Sequence, residues 1–203
     1  ASPMSHLPAA MSRATSRSPP EGRCARLAFS PFSHSSAFAS PMVGPVGAGQ
    51  TISQPFIVAL MTALAEPEPQ HRVLEIGTGC GYQAAVLARL AREVYTIERL
   101  RALHEKAREN LRPLRLANVH LILGDGMLGY AGGAPYAGII SAAGGGSLPP
   151  QWCEQLAMGG RLVAPMAGVD GRQMLLVVDK TPKGLEQTVL EAVHFVPLKS
   201  GVV

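Results

Sequence analysis

The sequence predicts an α/β fold: a doubly wound, mainly parallel seven-stranded sheet flanked by helices, with a C-terminal antiparallel hairpin. Three observations predict it. From His71 onward, short apolar runs of strand length alternate with helical stretches, the pattern of repeated β/α units. The first run, Val73-Leu74-Glu75-Ile76, enters a turn with three alternating glycines, Gly77, Gly79 and Gly81, and then turns helical. That reads as a buried parallel strand, a tight turn, and a helix whose N-terminus faces a ligand. The last two apolar runs are joined by Lys180-Thr181-Pro182-Lys183-Gly184, a hairpin signal.

Residues 1–40 are rich in Ser, Pro and Ala and lack sustained apolar periodicity, so they read as an irregular or disordered N-terminal extension. Residues 41–203 form the folded domain. It opens with a loop over 41–53, punctuated by glycine and proline. Ser53 is a good N-cap and Pro55 suits the first helical turn. The helix runs through Leu64, with Ile57, Leu60, Met61 and Leu64 on one apolar face, and Glu66-Pro67-Glu68-Pro69 stops it. The units that follow are strand 71–76 and helix 81–91, strand 93–98 and helix 100–111, then strand 119–123. Strand 136–142 follows a glycine-rich loop, a short helix lies within 148–158, and strand 161–165 comes next. Strands 173–179 and 188–197 flank the hairpin turn. Ligands of such sheets bind at the carboxyl ends of the strands, near the switch point.

Charge and cysteine usage exclude several classes. The net charge is +4, but Arg13, Arg17, Arg23 and Arg26 against Glu21 place +3 of it in residues 1–40. The remaining +1 over the domain is poor support for a nucleic-acid face. No apolar run approaches the roughly 20 residues that span a bilayer, so no membrane segment is expected. Cys24, Cys80 and Cys153 are odd in number and widely spaced, which argues against a disulfide framework or a zinc site and for a reducing, cytoplasmic compartment. No metal site is expected. His71, His104, His120 and His194 read as edge or surface residues.

The turn also narrows its ligand. A dinucleotide fingerprint would need a small residue at position 82, which is Tyr82, and no Walker lysine follows. That disfavours a pyrophosphate and, with it, a dehydrogenase. Glu98 ends the second strand 21 residues after Gly77, where a carboxylate can accept both hydroxyls of a ribose. Gly124-Asp125-Gly126 ends the third strand, where an Asp beside a backbone N–H can bracket an adenine edge. Together these fit a phosphate-free adenosine cofactor, S-adenosylmethionine.

With these residues in view, the chain over about 44–199 resembles the protein-L-isoaspartate O-methyltransferases, S-adenosylmethionine-dependent enzymes of the Rossmann-like methyltransferase fold. The most diagnostic stretch is Gly49-Gln50-Thr51-Ile52-Ser53-Gln54-Pro55, supported by Val73 to Gln83, Tyr95 to Arg99, Gly124-Asp125-Gly126, Gly159 to Val163 and Phe195 to Leu198. The resemblance implies methyl transfer to the free carboxylate of L-isoaspartyl residues in damaged proteins, which initiates repair and yields S-adenosylhomocysteine. It implies Ser53 as the catalytic residue. Cofactor contacts are implied from Gln50, Thr51, Ile52 and Ser53, from Glu75, Gly77, Thr78, Gly79 and Gly81, and from Glu98, Asp125 and Gly126. Substrate contacts are implied from Thr51, Ser53, Val196 and Pro197, in a monomer with no nucleic-acid partner. The sequence departs from the family pattern in the fourth strand, where Ala137 replaces the usual acid and Ala142 the usual threonine. Two rivals stay open: a methyltransferase for a small molecule or RNA, and a cofactor-binding relative with little catalysis.

Overall fold

The computed structural model describes residues 43–47, 50–52, 55–168 and 171–203, with only the backbone of 43–52. The extension expected over 1–40 lies outside these residues, and so does Ser53. The elements are β1 (Val43–Gly47), β2 (Gln50–Ile52), α1 (Pro55–Ala65), β3 (Arg72–Ile76), α2 (Tyr82–Leu87), β4 (Glu93–Glu98) and α3 (Arg101–Leu111). They continue with β5 (Val119–Leu123), β6 (Tyr136–Ser141), α4 (Pro150–Gln155), β7 (Leu156–Ala167), β8 (Gln173–Thr181) and β9 (Gly184–Val193). Seven strands form one sheet in the order β5-β4-β3-β6-β7-β8-β9. Strands β3 to β7 run parallel, and β8 and β9 are antiparallel. The doubly wound sheet with its closing hairpin is therefore as the sequence predicts.

Side chains alternate across this sheet, so β3 feeds two cores. Leu74 and Ile76 pack on one face with Ile97, Ile139 and Trp152 of α4. Val73 packs on the other with Val94, Ile140, Met61 of α1 and Leu87 of α2. Glu75, two residues from Val73, shares the α1 and α2 face. The sheet reverses its order between β3 and β6, the switch point where a crevice opens at the carboxyl ends. Among the described residues, no helix is long and apolar enough to cross a membrane.

Several boundaries differ from expectation, each for a physical reason. Residues 41–53 are not all loop: β1 and β2 pair antiparallel, with Val43 opposite Ile52 and Gly47 opposite Gln50. On α1 the buried stripe is Val58, Met61, Thr62 and Ala65, one position round from the predicted face. Ile57, Leu60 and Leu64 flank it, half-buried against the same core. Helix α2 stops at Leu87 rather than Ala91, and past its end Asn118 Nδ2 donates to the carbonyls of Ala88 and Ala91 at 2.9 and 3.1 Å. Those bonds satisfy carbonyls that the end of a helix leaves without a partner. Strand β7 starts at Leu156, not Arg161. Its pairing jumps from Tyr136–Leu156 to Gly138–Arg161, so residues 157–160 bulge out of register. The hairpin is tighter than expected, with Thr181 opposite Gly184. Strand β9 therefore ends at Val193, and Phe195 to Leu198 leave the sheet. His104 is a buried residue of α3, only 5% exposed, not a surface one.

Trp152 joins the layers at the end of β5. Its ring is fully buried and its indole N–H donates to Gly126 O at 2.8 Å. Trp152→Ala should lower unfolding free energy by about 3–5 kcal/mol through the cavity left behind. Trp152→Phe should cost about 1–3 kcal/mol by stranding that carbonyl. Urea titration of both variants checks this, and equal losses would contradict the role of the hydrogen bond.

Candidate active site

The carboxyl ends of β3, β4 and β5 stand side by side and carry the predicted turn and acids. Gly77, Gly79 and Gly81 have φ of +91°, +57° and +89°, a left-handed path that side-chain-bearing residues avoid. A Cβ on Gly81 would press on Leu111 at 3.0 Å, whereas one on Gly79 would meet nothing within 4 Å. Gly81 is therefore fixed by packing, and Gly79 leaves room above the turn. The turn's own N–H groups are mostly engaged: Gly77 and Thr78 donate to Ile97 O, Gly81 to Thr78 O, and Gly79 to Glu98 Oε2 at 2.9 Å. Those four amides are thus not free to hold a ligand, contrary to the picture of an open helix N-terminus.

Glu98 caps the end of β4. Its Oε2 accepts from Gly79 and its Oε1 accepts from Leu100 N–H at 3.0 Å. A carboxylate has about four lone-pair sites, so each oxygen keeps one for a further donor. Glu98 is only 5% exposed, so such a donor would come from a group seated in the crevice. Asp125 follows β5. Its Oδ1 accepts from Met127 N–H at 2.9 Å and its Oδ2 from Gly201 N–H at 2.7 Å. Gly126 has no room for a side chain, since a Cβ would lie 2.6 Å from Ile76 Cγ2.

Glu75 sits beneath the turn and is fully buried. Thr96, its register partner on β4, donates to Glu75 Oε2 at 2.5 Å. Thr96 has one hydroxyl proton, so it must accept from Thr78 Oγ1 at 2.6 Å. With Glu75 Oε2 accepting, the proton order is Thr78 to Thr96 to Glu75. Glu75 Oε1 has no partner. Burial raises the Glu75 carboxyl to about 8; the Thr96 hydrogen bond pulls it down and the nearby Glu98 charge pushes it up. Near neutral pH this acid is largely protonated.

The structure brings together Glu75, Gly77, Thr78, Gly79, Glu98, Asp125 and Gly126. Gln50, Thr51 and Ile52 form β2. Val196 and Pro197 do not continue β9. They lie beside Gly144, just past β6, where Gly144 N–H donates to Val196 O and Leu198 N–H to Gly144 O. Ala142 lies against the turn, its Cβ 3.5 Å from where a Gly77 Cβ would stand. Sequence reasoning missed Thr96, Arg99 and Gly201. Thr96 faces Glu75 through a strand register that neither strand's own sequence marks. Nothing local marks Gly201 as a partner of Asp125.

Residues 23–203 match the description of the protein-L-isoaspartate (D-aspartate) O-methyltransferase family. The chain belongs to that family. A family member from Methylibium petroleiphilum is 57% identical over 163 residues, covering 77% of this chain and 61% of the relative. One from Leptothrix cholodnii is 56% identical over 163 residues, covering 77% of this chain and 58% of the relative. The chain thus spans about three-fifths of the length of these relatives. A solved protein-L-isoaspartate O-methyltransferase superposes with a TM-score of 0.70 at 31% identity, covering 75% of this chain and 49% of that one. A putative one from Plasmodium falciparum, solved with S-adenosyl-L-homocysteine, gives 0.68 at 24% identity, covering 77% and 79%, a likeness of fold.

The raised Glu75 carboxyl makes stability depend on pH. Unfolded, the group titrates near 4.5, and folded near 8, so the unfolded chain binds fewer protons between these values. Stability is fully present below about pH 4.5 and falls as pH rises towards 8, by an amount on the order of a few kcal/mol. Glu75→Gln should flatten this part of the profile. Urea midpoints of both proteins at pH 5 and pH 8 test it, and an equal pH slope in both would contradict the assignment.

Proposed function

We propose that this chain transfers a methyl group from S-adenosylmethionine to the free carboxylate of L-isoaspartyl residues in damaged proteins. The observation that carries the reading is the family match over residues 23–203, which contains both the glycine turn and the Gln50 to Pro55 stretch. The site's chemistry fits the cofactor. Gly79 leaves open space, Glu98 keeps acceptor capacity for ribose hydroxyls, and buried Glu75 Oε1 lacks a donor. Tyr82 takes the position a pyrophosphate cradle would give to a small residue. Glu98 would hold the ribose and Asp125 and Gly126 the adenine edge, while Gly79 leaves space above the turn for the amino-acid end. When bound, S-adenosylmethionine supplies an electrophilic methyl group on a sulfonium and leaves as S-adenosylhomocysteine.

The chain has little acid–base work to do. The substrate carboxylate is already ionised near pH 7, so no general base is required. The residues' tasks are to align one carboxylate oxygen with the methyl group and to exclude water, because attraction between opposite charges is stronger away from water. Ser53, two residues before α1 in sequence, would supply a hydroxyl that can donate to the carboxylate and fix which oxygen faces the methyl group. Thr51 of β2 would border the same substrate, and Val196 and Pro197 would receive its backbone. The setting is read as the cytoplasm, the partners as damaged proteins or peptides rather than nucleic acid, and the working state as a monomer.

Labelled methyl transfer to an isoaspartyl peptide, with the matching aspartyl peptide as control, tests the reading; transfer to neither overturns it. Ser53→Ala should lower turnover on the order of a hundredfold while cofactor affinity stays within about twofold. Unchanged turnover would remove Ser53 from catalysis. Glu98→Ala should weaken S-adenosylhomocysteine binding by about ten- to a hundredfold through lost charge-assisted hydrogen bonds. Titration calorimetry measures it, and an unchanged dissociation constant would take Glu98 out of the site.

A further inference from the structure

The segment after β9 touches the carboxyl ends of three strands. Just past β6, Leu198 N–H donates to Gly144 O at 2.7 Å and Gly144 N–H to Val196 O at 2.8 Å. Just past β5, Gly201 N–H donates to Asp125 Oδ2 at 2.7 Å. Just past β4, Val203 N–H donates to Arg99 O at 2.9 Å and Arg101 N–H to Val203 O at 2.8 Å. The Arg99 side chain adds Nε to Gly201 O at 3.0 Å and Nη2 to Ser200 O at 3.3 Å. Strand β3 lies between β6 and β4. A chain running from the end of β6 to the end of β4 has to pass the end of β3, where the glycine turn stands.

Each half of this segment has its own anchor. Phe195 is gripped by Gln173, which accepts Phe195 N–H at 2.6 Å and donates to Phe195 O at 3.2 Å. With the Gly144 pairing, this holds residues 195–198 without help from Arg99. Residues 200–203 depend on the ends of β4 and β5. Arg99 suits the task because its planar guanidinium can meet two successive carbonyls at once, which an ammonium on a flexible stem does less well. Gly201 has φ of +78°, a left-handed conformation in which its N–H reaches Asp125 while its carbonyl reaches Arg99.

We propose that residues 195–203 form a strap across the cofactor site, and that Arg99 is the positioning residue holding its far half, Ser200 to Val203, over the adenosine end. This rests on the function proposed above. Arg99 acts through the strap: it fixes Gly201, and Gly201 fixes the Asp125 carboxylate from outside. Freeing the far half opens the adenosine end but leaves Val196 and Pro197 in place. The two ends of the reaction are thus separable by substitution.

The test varies cofactor and isoaspartyl peptide in turn in the methyl-transfer assay, beside calorimetric titration with S-adenosylhomocysteine and a thermal melt. Arg99→Ala should raise the dissociation constant and the cofactor KM about tenfold and leave the peptide KM within about twofold. Its melting midpoint should stay close to that of the parent. Arg99→Lys should fall between, since it can satisfy one carbonyl. Gly201→Pro, which deletes the N–H and cannot adopt a positive φ, should reproduce Arg99→Ala. Equal affinity in Arg99→Ala and the parent overturns the strap, and so does an equal rise in both KM values, the mark of general loosening. Tighter binding overturns it as well and makes the segment a plug. Failure of the parent itself to bind S-adenosylhomocysteine overturns the proposed function and the strap together, so the two failures are distinguishable.

Discussion

The Glu98 carboxylate ties the glycine turn to the end of β4. It accepts the Gly79 amide from one strand's loop and the Leu100 amide from the next. A charged acceptor with two backbone donors, largely shielded from water, is among the stronger local constraints available to a loop. It sets the height of the turn above the sheet and the start of α3 in one stroke. Without it, the left-handed run through Gly77, Gly79 and Gly81 would have fewer ties to its neighbour.

Beneath that surface contact lies a second, quieter one. Glu75, Thr96 and Thr78 form a short relay inside the sheet, with donors assigned by the single proton on each hydroxyl. The two acids of the site are therefore different in kind. Glu98 accepts two backbone amides, and Glu75 is held neutral by burial, which pushes its carboxyl to about 8. Two like charges near each other would repel, so keeping one acid protonated lets both occupy the end of the same strand pair.

The sheet was legible because its strands are buried on both faces. Runs such as Val73 to Ile76 and Val94 to Glu98 carry their own burial pattern, and the acids at their ends stand out against it. What escaped was set by contacts distant in sequence. Asn118 bonds a carbonyl at the end of α2 across 30 residues, and Gly201 reaches Asp125 across 76. His104 looked like a surface residue by its polarity, although Leu103, Ala107 and Leu111 recur at helical spacing and put it on the inward face of α3. The pairing of β1 with β2 was hidden by glycine and proline, which signal a loop whether or not two short strands meet there. The end of β9 was misplaced because Phe195 and Val196 are as apolar as a strand, yet are bound to Gly144 and Gln173 instead.

The hairpin leaves β9 as the outermost strand, paired on one side with β8 and with no strand on its other side among the described residues. Nearly all ten of its residues are exposed, Leu185 and Val189 among them. Unpaired amides and carbonyls along such a rim can template a foreign strand, and apolar side chains on it invite stacking. Glu186 and Glu191 flank Val189 in sequence. Where two copies to align in register, like acids would face one another, a repulsion that guards this rim against self-association. A sheet edge that resists pairing with its own copies is a property of the fold in its own right.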